Sequence, residues 1–201
     1  MKSSTRHCCP RRTARPWPAL VFVDHSASSL ARSTNRAFLA LVALLLAGCT
    51  LQQDVSQAPP SGRVGGKAPA LSGDTLEGSP LTVDFHQGKT VLVFWAAWCG
   101  PCRNEQPGLN TLAARYASSN IRFYGVDMLD HDQALAKAFV REFNVTYPSL
   151  YDDSGAMAAA YQVDSPPSFV LVDQRAIVVG RYPGEASTAQ IQRLIDQKLV
   201  R

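Results

Sequence analysis

The stretch TVLVFWAAWCGPC constrains the fold of this chain more than any other segment. Residues 90–97 are continuously apolar and rich in β-branched and aromatic side chains, which predicts a strand buried on both faces. From Leu109 to Tyr116 the apolar residues recur at helical spacing. Cys99 and Cys102 therefore lie where a buried strand gives way to a helix, at one edge of a predicted sheet.

Strand and helix patterns alternate along the rest of the domain. Further strands are predicted at 81–85, 121–127, 168–173 and 176–182, and further helices at 135–143, 154–161 and 191–199. The last two strands are predicted to form a hairpin around Gln174–Arg175. This alternation predicts an α/β fold with a mixed sheet.

Residues 1–48 have the pattern of a segment that is removed. Arg32 and Arg36 precede an apolar run from 37 to 47, which is too short to span a bilayer and fits a secretory signal better than a buried core helix. The run ends in LAGC, which resembles the lipobox of bacterial lipoproteins and implies a diacylglycerol anchor on Cys49. Residues 49–66, rich in Pro, Gly, Ser and Gln, read as a flexible tether, and 67–201 as the folded domain.

The charge of the chain is concentrated in the leader. Residues 1–49 hold seven Lys and Arg against one acidic residue, whereas the remainder holds 13 basic and 15 acidic residues. The leader therefore carries a formal charge of +6 (7 − 1) and the remainder −2 (13 − 15), which together give the +4 of the whole chain, so the domain itself is slightly acidic. This balance gives no support to nucleic-acid binding.

The cysteine pair has three possible uses: a redox couple, half of a metal site, or a structural staple. Structural zinc usually needs four Cys or His ligands, and the domain offers only His86 and His131, far apart in sequence and with no second close cysteine pair. Orphan N–H groups at a helix N-terminus lower the pKa of a thiol, which favours Cys99 as a nucleophile. Cys102, one turn further in and predicted to be the more buried of the two, then resolves the mixed disulfide.

The sequence WCGPC after a buried strand resembles the active site of the thioredoxin superfamily. The resemblance extends to the extracytoplasmic TlpA/ResA-like thiol-disulfide oxidoreductases, through Glu105, Pro107 and the loop PSFVLVD at 167–173. It covers roughly residues 67 to 201. It implies a thioredoxin-like fold, a central mixed β-sheet flanked by helices, with an N-terminal hairpin and a central insertion.

The resemblance also implies roles for individual residues. Glu105 would handle protons, because Val93 stands where cytoplasmic thioredoxins have a buried Asp; the alternative is a solvated surface Glu. Pro167 would follow a cis peptide bond beside the cysteines, rather than a trans bond in an ordinary turn. Substrate contacts would come from Trp98, Gly100, Pro101 and Pro166. Pro166 lacks the N–H that pairs with an extended substrate, which predicts weaker peptide docking.

The polar stretch DMLDHD at 127–132 is predicted to be a solvated loop that caps the next helix, rather than a metal site. A peroxiredoxin would place its reactive cysteine in another motif. A copper chaperone of the Sco type would carry C-x-x-x-C and a late His, which this chain lacks.

The resulting hypothesis is a lipid-anchored protein-disulfide reductase on the extracytoplasmic face of the bacterial membrane. The resemblance implies exported disulfide-bearing proteins as substrates, possibly apocytochrome c, and a membrane thiol transporter of the DsbD/CcdA type as electron donor. The dithiol is its own redox group, so neither an organic cofactor nor a metal is expected. The alternatives are an oxidant of the same fold and a redox-inert binding lipoprotein.

Overall fold

Within residues 60–200, the part of the chain that the computed structural model describes, strands and helices alternate as the sequence predicts. The strands are β1 (Ser72–Asp74), β2 (Pro80–Thr82), β3 (Lys89–Trp95), β4 (Ile121–Met128), β5 (Ser149–Asp152), β6 (Ser168–Val172) and β7 (Val178–Pro183). The helices are α1 (Gly100–Tyr116), α2 (Gln133–Glu142), α3 (Ala156–Ala160) and α4 (Thr188–Ile195), the last continued by a π-helical turn over Asp196–Val200.

Five strands form a mixed sheet in the order β5-β4-β3-β6-β7. β3 runs parallel to β4, and β4 runs parallel to β5, whereas β6 and β7 are antiparallel to their neighbours. β3 is the central strand, which explains why its apolar run is buried on both faces. The α/β fold with a mixed, thioredoxin-like sheet is confirmed.

Helices cover both faces of this sheet. One face packs against α1, α2 and α4 through an apolar cluster that includes Trp95, Leu109, Phe139 and Ile191. The opposite face packs against α3 and the segment around the β1–β2 hairpin, through residues such as Leu71, Phe94 and Tyr161. Trp95 and Phe94 are core residues, as expected, with 1% and 0% of their surfaces exposed.

The sheet brings three chain segments to one edge. β3 and β4 are parallel and both end there, and the antiparallel β6 begins there, with Phe94 paired to Ser168. The loop that carries Cys99, the β4–α2 loop and Pro167 therefore share this edge.

The predicted N-terminal hairpin is present as β1 and β2, but the bounds of its second strand differ from the prediction. The strand expected over 81–85 stops at Thr82, and a 3-10 turn over Phe85–Gln87 follows because the Asp84 side chain accepts a hydrogen bond from the His86 amide. β5 was not predicted, since a four-residue edge strand shows little periodicity.

The flexible tether was predicted over 49–66, but its last residues, 61–66, are bound to the folded domain. Ser61 to Gly66 bind the domain edge: the Gly65 amide donates to the Val178 carbonyl, and the Val178 amide donates to the Gly66 carbonyl. Gly62 lies so close to the Tyr161 backbone that a β-carbon there would sit 2.1 Å from the Tyr161 carbonyl oxygen. The packed domain therefore begins near residue 61.

No helix within residues 60–200 combines the length and the apolar character needed to cross a bilayer. The predicted leader and the predicted lipidation residue Cys49 lie outside the described residues.

Candidate active site

Cys99 and Cys102 form a disulfide at the N-terminus of α1, with their Cα atoms 5.3 Å apart. Cys99 is the N-cap residue, and its Sγ accepts a hydrogen bond from the Cys102 amide at 3.2 Å. Pro101 occupies the first turn, where its missing N–H costs no helical hydrogen bond. A thiolate on Cys99 would therefore face an amide donor and the positive end of the helix dipole.

Both cysteines are buried, and the prediction that Cys102 is the more buried of the two is wrong. Each exposes 3% of its surface in the disulfide state, because the closed ring holds the Cys99 sulfur against the first helical turn. The accessible surface beside the pair comes instead from the exposed Trp98 and Gly100 and the half-buried Pro101.

Trp98 is the most prominent residue of this surface, with 59% of its side chain and backbone exposed. Its indole Nε1 donates a hydrogen bond to the Leu129 carbonyl at 3.2 Å. The β4–α2 loop thus holds the ring in an exposed position beside Cys99.

Glu105 lies one helical turn after Cys102 and is buried, with 7% of its surface exposed. Its Oε1 accepts a hydrogen bond from the Ala186 amide at 2.5 Å, while its buried Oε2 has no partner among the described residues. Burial raises the pKa of Glu105 to about 7; the Ala186 hydrogen bond opposes this rise and the nearby charge of Glu185 adds to it. The alternative of a solvated surface Glu is therefore wrong.

Glu105 also borders an open pocket of about 490 Å³, together with Asn104, Glu185 and residues at the start of α4. This pocket gives the carboxyl group a route for exchanging protons with water. Glu105 combines burial, a pKa near neutrality and access to solvent, which suits a proton carrier.

The Pro166–Pro167 peptide bond is cis, as predicted. Pro167 is buried and its carbonyl accepts a hydrogen bond from the Gly184 amide at 2.8 Å, while Pro166 is half-buried. Because β6 starts at the next residue, the two prolines lie at the edge of the sheet that also carries the cysteines.

The stretch 127–132 is partly different from the prediction. Asp132 caps α2, as expected, by accepting a hydrogen bond from the Ala134 amide. Asp127 and Asp130 are not solvated, however: they expose 0% and 3% of their surfaces. Asp130 Oδ2 accepts a hydrogen bond from the Ala97 amide at 2.7 Å, so it supports the turn that leads to Cys99.

A sequence signal for this arrangement exists in the period of β4. Asp127 has the same parity as Ile121 and Phe123, which face the α1 side of the sheet, so the strand predicted over 121–127 already placed its carboxyl group on that covered face. The many charges of the segment hid this signal.

Residues 60–200 contain no cluster of three or more His, Cys, Asp or Glu side chains suited to hold a metal ion. His131 instead forms an exposed hydrogen-bonded contact with Asp153, with 2.8 Å between His131 Nδ1 and Asp153 Oδ1.

Comparisons with known proteins agree with this geometry. The sequence profile of the AhpC/TSA family matches residues 64–181. The chain is 28% identical over 162 residues to the thiol-disulfide oxidoreductase ResA of Bacillus cereus, covering 79% of this chain and 93% of the relative. It is 34% identical over 143 residues to a thiol:disulfide interchange protein DsbE homolog of Paracoccus denitrificans, covering 69% and 76%.

A solved structure is similar as well. The crystal structure of a putative thiol:disulfide interchange protein DsbE from Chlorobium tepidum superposes with a TM-score of 0.62 at 25% sequence identity. The match covers 66% of this chain and 95% of that one.

Proposed function

Because the chain belongs to the AhpC/TSA family, as a thiol-disulfide oxidoreductase of the ResA and DsbE type, we propose that it reduces disulfides in exported proteins. The observation that carries this proposal is the position of Cys99. Its sulfur lies at the N-terminus of α1 and accepts a hydrogen bond from the Cys102 amide. The same sulfur is bonded to Cys102 in the disulfide. This arrangement stabilises a thiolate and supplies the group that resolves a mixed disulfide.

The reaction proceeds by two exchanges. The Cys99 thiolate attacks one sulfur of a substrate disulfide, a Cys99–substrate bond forms, and the other substrate sulfur leaves as a thiolate. The Cys102 thiol then loses its proton and attacks Cys99 Sγ, which releases the second substrate thiolate and closes the Cys99–Cys102 disulfide. Two electrons pass from the protein to the substrate, whose two thiolates are protonated to thiols.

Glu105 is the proposed proton acceptor for Cys102 in the second exchange. It lies one helical turn further along α1, and its pKa near 7 makes it an effective base near neutral pH. The pocket beside it returns the proton to solvent. Pro167 and the exposed residues Trp98, Gly100, Pro101 and Pro166 would form the surface on which the substrate docks.

The protein is proposed to act on the extracytoplasmic face of a bacterial membrane, anchored by a lipid on Cys49. The basic residues, the short apolar run and the LAGC sequence at its end support this location. Exported proteins with unwanted disulfides, apocytochrome c among them, are the proposed substrates. A membrane thiol transporter of the DsbD/CcdA type is the proposed electron donor that reopens the disulfide.

The direction of transfer depends on the reduction potential of the pair. A potential near about −270 mV suits a reductase, whereas one near about −120 mV suits an oxidant. Gly100–Pro101 between the cysteines supports the reductase, since the same dipeptide separates the cysteines of reducing thioredoxins.

Activity and partners are tested with two cysteine variants of the full-length chain. The reduced protein should reduce insulin disulfides, Cys99→Ser should abolish this turnover, and Ser118→Ala, an exposed residue after α1, should leave it unchanged. Cys102→Ser should accumulate mixed disulfides with exported proteins in cells, because the resolving sulfur is missing. Insulin reduction by Cys99→Ser at the wild-type rate would refute the proposal.

A further inference from the structure

Asp127 is a buried carboxyl group that the proposed reaction does not use. It exposes 0% of its surface, and neither of its oxygens accepts a hydrogen bond from a conventional donor within residues 60–200. Its register partners on the neighbouring strands, Trp95 and Tyr151, have donors that bind elsewhere. Trp95 Nε1 donates to Ser149 Oγ at 3.3 Å, and the Tyr151 hydroxyl donates to the Asp130 carbonyl at 2.8 Å. An ionised Asp127 would therefore be a buried charge without compensation.

The neighbours of Asp127 are themselves acidic. Asp152 is satisfied as a carboxylate, because it accepts hydrogen bonds from the Met157 and Ala158 amides at 3.1 and 2.8 Å. Asp130 lies three residues after Asp127; its side chain accepts a hydrogen bond from the Ala97 amide, and its carbonyl accepts one from the hydroxyl of Tyr151, the register partner of Asp127. No Lys or Arg in the described part of the chain forms an ion pair with any of these three carboxylates.

These surroundings favour the protonated form of Asp127. Burial raises the pKa of Asp127 to about 8, with further contributions from the charge and hydrogen bond of Asp130 and from the charge of Asp152. Two adjacent carboxyl groups in a low-dielectric site commonly hold a single proton, since both cannot ionise cheaply. With a proton on Asp127, its O–H becomes a second donor to the Asp130 carboxylate, beside the Ala97 amide.

From this arrangement we propose that Asp127 and Asp130 share one proton, with the Asp127 O–H donating to the Asp130 carboxylate, and that this pair positions the turn that carries Cys99. The Asp130 carboxylate binds the amide of Ala97, two residues before Cys99, and Asp127 fixes the orientation of that carboxylate. Asp127 and Asp130 are thus positioning residues. The statement about Cys99 rests on the proposed function, whereas the shared proton does not.

A consequence follows for the redox states. Reduction places a negative charge on Cys99 close to the pair, and a negative charge disfavours a second ionisation nearby. The shared proton should therefore be lost at a higher pH in the reduced protein than in the oxidised one. By reciprocity, loss of that proton makes the Cys99 thiolate less favourable.

The groups that face the pair come from each element around it. β5 supplies Asp152, whose charge acts on Asp127, and Tyr151, on which the charges of both Asp127 and Asp130 act, while the Ala97 amide that binds Asp130 lies two residues before Cys99. Cys99 does not titrate while it is in the disulfide. The oxidised protein therefore reports on the acidic pair without interference from the thiol.

The shared proton is tested by carbon NMR of the full-length oxidised chain labelled at aspartate Cγ, which leaves Glu105 silent. One aspartate should titrate above neutral pH in the wild type. This late titration should disappear in Asp127→Asn and persist in Asp173→Asn, a control at the opposite end of β6. If every aspartate of the wild type finishes titrating in the acid range, the proposal is wrong, and this result does not depend on any variant folding.

The positioning role is tested by the rate at which iodoacetamide alkylates Cys99 in the reduced full-length chain, followed by peptide mass spectrometry across a pH series. Asp130→Ala removes the acceptor for the Ala97 amide and should slow alkylation at neutral pH by about fivefold, the order expected for one lost hydrogen bond. Asp130→Asn keeps a carbonyl oxygen that can accept from the Ala97 amide and adds an NH2 group that can donate to Asp127. The alkylation rate of Cys99 in this variant should therefore stay within about twofold of the wild-type rate.

The positioning role would be overturned if Asp130→Ala were alkylated as fast as the wild type. It would also be overturned if Asp130→Ala and Asp130→Asn lost the same fraction of the alkylation rate. Neither measurement uses a protein substrate. A chain that shows the late aspartate titration and the Asp130→Ala effect, yet reduces no insulin, would contradict the proposed function and leave the acidic pair intact.

Discussion

At the scale of single residues, Glu105 is the group whose chemistry depends most on its surroundings. The same side chain on a solvated helix face would be ionised at neutral pH, whereas burial against the α4 entry raises its pKa to about 7. Its one hydrogen bond comes from the Ala186 amide. The residue is therefore poised to gain and lose a proton near neutrality.

Glu105→Gln should slow the resolution of mixed disulfides by about tenfold at neutral pH, since a glutamine cannot accept the Cys102 proton. In the wild type this rate should rise with pH through about 7, as the carboxylate base forms, and the variant should lose that dependence. Stopped-flow measurement of substrate thiol release checks both effects. Glu77→Gln, an exposed residue between β1 and β2, serves as the control, and an unchanged pH profile in Glu105→Gln would contradict the proton-transfer role.

The residues of the active-site motif were predictable because their chemistry depends on local sequence. Cys99, Cys102 and Glu105 lie on one helix, so the strand-to-helix junction places them without knowledge of the rest of the fold. Asp127 and Asp130 were not predictable in the same way. Their burial depends on α2 and β5, which cover a segment whose charges suggest a solvated loop.

At the scale of elements, the loop before β6, which is proposed to contact the substrate, ends in two prolines. Pro167 keeps the buried cis position, while Pro166 is half-buried and offers a carbonyl but no N–H to an extended chain. Main-chain pairing at this loop is therefore limited to one acceptor.

Pro166→Thr should improve kcat/KM for a peptide disulfide by about fivefold, because the new N–H supplies one further hydrogen bond to the peptide backbone. Turnover of a small disulfide without a peptide backbone should be unaffected and serves as the control. Steady-state kinetics with both substrates makes the comparison. The prediction of weak backbone docking is wrong if the peptide kinetics do not change.

Prediction of the elements succeeded where a pattern was long. β3 and β4 have seven and eight residues, and α1 and α2 have 17 and ten, so a continuous apolar run or a regular spacing is long enough to be recognised, and their positions follow the sequence. β1, β2 and β5 have three or four residues each, which is too short for a period to distinguish a strand from a loop. These short strands are defined by backbone pairing with a neighbouring strand: β1 pairs with β2, and β5 pairs with β4.

At the scale of the whole molecule, the buried acids set how stability depends on pH. Folding raises the pKa of Glu105 to about 7 and that of Asp127 to about 8, above their usual values of 4.5 and 3.8. At a pH between the usual and the raised pKa of each group, the native state then binds more protons than the unfolded state. The free energy of unfolding must therefore fall as pH rises through this range, as far as these two groups are concerned.

Urea unfolding of the full-length chain should show a free energy of unfolding lower at about pH 8.5 than at about pH 5.5, by on the order of a few kcal/mol. Glu105→Gln and Asp127→Asn should each reduce this difference, because each removes one of the raised ionisations. Asp173→Asn should not, since the pKa of Asp173 is lowered by its hydrogen bonds and its ionisation stabilises the fold. A free energy that rises across this interval in the wild type would contradict the assignment of buried protonated acids.

The two outer strands of the sheet have a protective consequence for a protein that meets unfolded chains. On one side, residues 65–67 bind β7, with a bridge between Lys67 and Ile177, and on the other side Thr75 bridges to Leu150 in β5. The N-terminal part of the domain thus occupies backbone groups on both flanks that otherwise invite strand addition and aggregation. Under the proposed function, a polypeptide substrate would dock at the end of the sheet that carries the cysteines rather than add a strand at these covered positions.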